Sequence, residues 1–66
     1  MITLRRTINQ AKEHAKLANK IYFILEPYVV DGQAIFAIIC EDALEDGEKQ
    51  DVVIVVYPDG NMSFVK

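Results

Sequence analysis

Chemistry in a short chain rests on a few side chains, and here the eligible ones are Cys40, His14 and the carboxylates of the stretch EDALEDGEKQD, residues 41 to 51. That stretch holds Glu41, Asp42, Glu45, Asp46, Glu48 and Asp51, a density that first suggests a hard cation. A calcium loop of the EF-hand type needs oxygen ligands at its first, third and fifth positions, Gly at the sixth and Glu at the twelfth. Counted from Asp42, the third position is Leu44 and the twelfth is Val53, so the motif fails. The stretch reads instead as a solvated, mobile loop that keeps an apolar protein soluble, with Leu44 pinning its centre to the fold.

Cys40 closes an apolar run directly before Glu41 and Asp42, whose charge disfavours a thiolate; it reads as a small core residue. A single cysteine excludes an intrachain disulfide, and His14 without a cysteine cluster does not make a structural zinc site. His14 sits at the margin of a helical stripe and reads as a boundary residue. The sequence holds no phosphate loop, catalytic carboxylate pair or nucleophile elbow, so neither enzymatic activity nor a cofactor or metal is expected.

Charge is divided along the chain. The first twenty residues carry Arg5, Arg6, Lys12, Lys16 and Lys20 against Glu13 alone, while the remainder carries nine carboxylates against Lys49 and Lys66. At 100° per residue the five basic side chains gather over about a third of a helix circumference, opposite its apolar stripe. Such a face can bind phosphates or an acidic protein partner. The sequence pI of about 4.9 and the lack of aromatic residues among the basic ones argue against nucleic acid.

Positioning these groups falls to one helix and four strands. Leu4, Ile8, Ala11, Ala15 and Ala18 recur at helical spacing between Thr3 and Lys20, with Thr3 as candidate N-cap and Leu17 facing away. The alanines let the helix lie close on a sheet. From Ile21 onward, β-branched and aromatic residues form two hairpins. IYFILEPYVV and QAIFAIIC flank Asp31-Gly32, and DVVIVVY and NMSFV flank Pro58-Asp59-Gly60. Pro27 either places the first strand at a sheet edge or breaks it at a bulge, and the fourth strand forms the opposite edge of a meander. A three-residue closure at Pro58-Asp59-Gly60 groups Ile54, Val56, Met62 and Phe64 on one face, and Val53, Val55, Tyr57 and Val65 on the other. The Asp31-Gly32 closure remains open between two and three residues. Within the second strand, Ala34, Phe36, Ile38 and Cys40 alternate with Ile35, Ala37 and Ile39.

The expected fold is therefore α+β: an N-terminal helix packed on a four-stranded antiparallel meander sheet, as a single small domain over residues 1 to 66. Both faces of its strands are apolar, as in sheets covered on both sides, yet one helix covers one face. A second copy of the chain is the simplest further cover, and light closure by the acidic loop or the chain ends is the alternative. The expected interface comprises Ile35, Ile39, Val53, Val55 and Tyr57, with Arg5, Arg6, Lys12, Lys16 and Lys20 as a possible partner-binding face. Tyr22, Tyr28 and Tyr57 suit an interface rim as well as a ligand.

The opening residues lack the apolar stretch of a signal peptide, and the longest apolar run, AIFAIIC, is far short of a membrane span. With its lone cysteine the chain reads as soluble and cytoplasmic. The function expected is a non-enzymatic, oligomeric binding or regulatory protein, dimeric for preference, acting through protein contacts. The alternatives are a nucleic-acid-binding module using the basic helix face, or a small-molecule or metal-binding module with a pocket between subunits.

Overall fold

The computed structural model describes residues 4–65; the candidate N-cap Thr3 lies outside them. Helix α1 spans Leu4–Ala18. Thr7, Ala11 and Ala15 are its buried residues, with Ile8 half-buried beside them, whereas Ala18 and Leu17 are exposed. The stripe is thus shorter than its sequence spacing implied. It ends in a Schellman-type closure: Asn19 turns to φ 54° and the Lys20 N–H donates to the Ala15 carbonyl at 3.2 Å. Asn tolerates that left-handed geometry better than most residues, and the chain leaves directly into the sheet.

Among the described residues six strands follow: β1 (Tyr22–Leu25), β2 (Tyr28–Val30), β3 (Gln33–Ile35), β4 (Ile38–Cys40), β5 (Val52–Val56) and β6 (Met62–Phe64). Four form one antiparallel sheet in the order β4-β1-β5-β6, and β2 and β3 form a separate two-stranded ladder. The helix on a four-stranded antiparallel sheet is the architecture the sequence predicts. The strand order departs from a simple meander, because β1 lies inside the sheet and β4 takes the edge. Pro27 acts through its second option. It breaks the first strand just after a register shift between Ile24 and Leu25, where it has no N–H to lose from the main ladder. The opposite strand breaks at Phe36 and Ala37, so one long hairpin becomes β1/β4 at its base and β2/β3 as a projecting arm.

The turns close as their residue types dictate. Val30 pairs with Gln33, leaving Asp31 (φ 52°) and Gly32 (φ 78°) as a two-residue turn with both φ values positive. In the other hairpin the Tyr57 N–H donates to the Asn61 carbonyl at 2.8 Å and Gly60 lies at φ 94°, the three-residue closure read from the sequence. Its register puts Ile54 opposite Phe64 and Val56 opposite Met62, again as predicted.

The core lies between α1 and one sheet face. Ala11, Ala15, Ile24, Ile54 and Val56 are its buried members, and Tyr22, Phe36, Ile38 and Met62 pack around them. Alanines on the helix allow the close approach that puts Ile24 and Val56 fully out of solvent.

Candidate interaction surfaces

Alternation along the strands assigns the face away from α1. Tyr22 and Ile24 face the core, so Phe23 points to the other side, and its partners across the sheet are Ile39 on β4 and Val55 on β5. All three are half-buried. Ile39 and Val55 thus meet around Phe23, a residue the sequence reading had not singled out. Val53 lies one step along β5 at the irregular register and packs partly on the core. Tyr57 is half-buried where β5 enters its turn. Ile35 is carried elsewhere, on β3 opposite Tyr28, because the break at Phe36 and Ala37 ends the alternation that linked it to Ile39.

The acidic loop is more ordered than its composition suggests. It contains a 3₁₀ helix over Asp46–Asp51, entered where the Glu45 N–H donates to Glu48 Oε1 at 3.0 Å and the Glu48 N–H to the Glu45 carbonyl at 3.0 Å. Leu44 is half-buried and lines a shallow cavity of about 270 Å³ with Phe23, Val52, Val65 and Lys49. The loop therefore pins itself at Leu44, as anticipated, and covers one corner of the second face. Among the described residues no group of three or more His, Cys, Asp or Glu is placed to hold a metal ion.

The basic residues expected on one helix face separate into different settings, and Lys20 lies beyond the end of α1. Lys20 pairs with Asp42 of the acidic loop, both partners substantially exposed. This hydrogen bond, and then the charge of Asp42, raise the Lys20 pKa above 10.5. Lys12 and Lys16 line one wall of a groove of about 410 Å³ whose other wall is the turn Pro58, Asp59 and Gly60, with Glu13 on its rim. Asp59 is occupied within the turn, accepting from the Asn61 N–H at 2.9 Å and from Asn61 Nδ2 at 3.0 Å. Arg5 and Arg6 are exposed at the start of the helix.

At the opposite end of α1 from those arginines, His14 stacks on Tyr22 with ring centroids 5.8 Å apart. The boundary residue thus seals the rim of the core. Burial first, and then the neighbouring Cys40, raise the Tyr22 pKa above 10.0. Cys40 is half-buried beside it, at the edge of the core rather than inside it.

Apart from Leu17 on α1, 80% exposed, the most exposed apolar side chains are on the arm and on β6 with the residue that follows it. Val29 is 73% exposed, Phe64 64%, Tyr28 56% and Val65 55%. The strand pattern had merged β2 with β1, and the arm escaped notice for that reason; Pro27 was the signal that separates them.

These features define a small α+β domain whose unsatisfied surface is apolar and lies on strands. Comparison with known protein families, curated proteins and solved structures finds no match. No helix of the described residues is long and apolar enough to cross a membrane.

Proposed function

We propose that this chain is a small, non-enzymatic binding or regulatory protein that works as a homo-oligomer, a dimer for preference, through protein contacts. The observation that carries this reading is the cross-strand row Ile39, Phe23 and Val55 on the face away from α1. Leu44 shields one corner of that face, and the rest is apolar surface of the kind that interfaces bury. Oligomerisation also answers the small size of the core, since a 66-residue chain has little interior to stabilise it. The lone Cys40 suits a reducing compartment, and the cytoplasm is the proposed location.

Nucleic-acid binding through α1 is the lesser reading. Lys20 is engaged by Asp42, and carboxylates flank the groove beside Lys12 and Lys16. A gel shift across a salt series tests it, because phosphate contacts weaken steeply with salt.

Light scattering at micromolar concentration tests the main reading, with a mass of twice 7.5 kDa expected. Val55→Glu places a carboxylate on the proposed interface and should yield monomer or unfolded chain. A wild-type mass of one chain, with the sheet intact, overturns the proposal.

A further inference from the structure

We propose that the β2/β3 arm of one chain adds to the free edge of β6 in a second copy, reciprocally, so that each chain gives an arm and receives one. This rests on the homo-oligomeric reading and names a contact that reading does not require.

The arm is the first reason. An isolated two-stranded hairpin is marginal in water, and three strands or a packing surface are needed to hold it. Beyond Pro27 the arm exposes Tyr28, Val29 and Val30, and Asp31 is the one charged residue in its two strands and turn. The receiving edge is the second reason. Edge strands are ordinarily blunted by charge, proline or a bulge, and β6 (Met62, Ser63, Phe64) has none of these.

Hydrogen-bond parity makes Val29 and Met62 compatible, while Pro27, with no N–H to give, falls opposite Phe64 in the same register. Asn61 receives the Tyr57 N–H and the Val65 N–H donates to the Val53 carbonyl at 2.8 Å. In an antiparallel ladder the alternation then turns the N–H and C=O of Met62 and Phe64 outward. In the arm, Val30 and Gln33 flank a two-residue turn, so the same rule turns the backbone groups of Val29 outward. Pairing Val29 with Met62 in antiparallel sense places Asp31 opposite Gly60. That is the turn forming one wall of the groove whose other wall carries Lys12 and Lys16. That groove carries Glu13 and Asp59 as well as the two lysines, so Asp31 arrives at a wall of mixed charge.

The area sets an upper bound. The exposed parts of Tyr28, Val29, Val30, Phe64 and Val65 amount to on the order of 500 Å² per chain, taking aromatic side chains at roughly 150–250 Å² each. Complete burial of these parts in a reciprocal exchange removes at most about 1,000 Å², the floor for a specific protein contact.

Light scattering with amide hydrogen exchange tests the proposal on the whole chain. The wild type should be an oligomer whose Val29 amide is protected at high concentration and loses at least tenfold of that protection on dilution to monomer. Val29→Lys and Phe64→Lys should each give monomer while the β1 and β5 amides stay protected, which shows that the fold survives. Oligomers that persist in both Val29→Lys and Phe64→Lys overturn the arm contact and leave the Phe23 face as the interface. A monomeric wild type overturns both.

Discussion

Ile24 in β1 stands directly opposite Ile54 in β5, and both are almost completely withdrawn from solvent beneath α1. One residue along β5, Val55 points to the other side of the sheet and is half-buried. Ile54→Ala should therefore cost about 2–5 kcal/mol, as large-to-small changes in a packed core do. Val55→Ala removes less buried surface within one chain and should cost less in a chemical denaturation series on the dilute protein. Equal losses at the two positions would contradict the assignment of faces.

Ala15 lies on the face of α1 that packs on the sheet, with no exposed surface. Ala15→Leu should lever the helix away and cost about 1–3 kcal/mol, the range for overpacking. Ala18→Leu, at an exposed position on the same helix, should move the denaturation midpoint by no more than about 0.5 kcal/mol. An unchanged midpoint for Ala15→Leu would show that the helix does not press on the strands there.

The acidic loop separates its carboxylates by role. Glu45→Asn keeps a side-chain oxygen acceptor at the 3₁₀ entry and Asp46→Asn removes an exposed pair with Lys49 Nζ at 3.1 Å, so together they should shift stability by about 0.5 kcal/mol at most. Glu48→Ala removes the acceptor for the Glu45 N–H and should cost about 0.5–1.5 kcal/mol. The measurement is thermal or urea denaturation of each variant. A loss for the asparagine pair that exceeds the Glu48→Ala loss would mean that the loop is held by its exposed carboxylates instead.

Alkaline titration follows from two groups raised in the folded state. Asp42 raises Lys20 above 10.5, and burial raises Tyr22 above 10.0. In both cases the folded chain holds its proton to higher pH than the unfolded one. The stability linked to each is complete below the unfolded pKa and is lost as pH rises through the folded pKa. Stability should fall as the solution passes upward from pH 10, and Asp42→Asn should reduce the part due to Lys20. Ultraviolet titration of phenolate, with Tyr22→Phe as reference, should place Tyr22 above a free tyrosine.

The parts of this fold governed by local rules are legible in the sequence. Helical spacing located α1, Gly60 at positive φ set the three-residue turn, and that turn fixed which residues of β5 and β6 share a face. Strand order was not legible, because it depends on which edge of β1 receives β5, a long-range choice that alternating Val and Ile do not encode. Ile35 shows the same limit at the candidate interface: face assignment by counting holds only while a strand is continuous, and the break at Phe36 and Ala37 ends the count. Phe23 was overlooked since its importance comes from its neighbours across the sheet, Ile39 and Val55. Thr7 was passed over because hydropathy ranks it low, although it is buried to 2% exposure among the alanines.

The central place of β1 also bears on how the chain reaches its native state. β4 comes back to β1 by way of the β2/β3 arm, itself closed by the two-residue Asp31-Gly32 turn, and β6 to β5 through a three-residue turn, so each hairpin closes between neighbouring segments, on the scale of about 1–10 μs. Joining β1 to β5 is different, since the whole arm and the acidic loop must be spanned before Ile24 can meet Ile54. The slow step would then be the docking of two preformed hairpins, with α1 settling over the seam. Stopped-flow refolding should show Ile54→Val slowing folding, whereas Val29→Ala on the arm should leave the folding rate of the monomer unchanged.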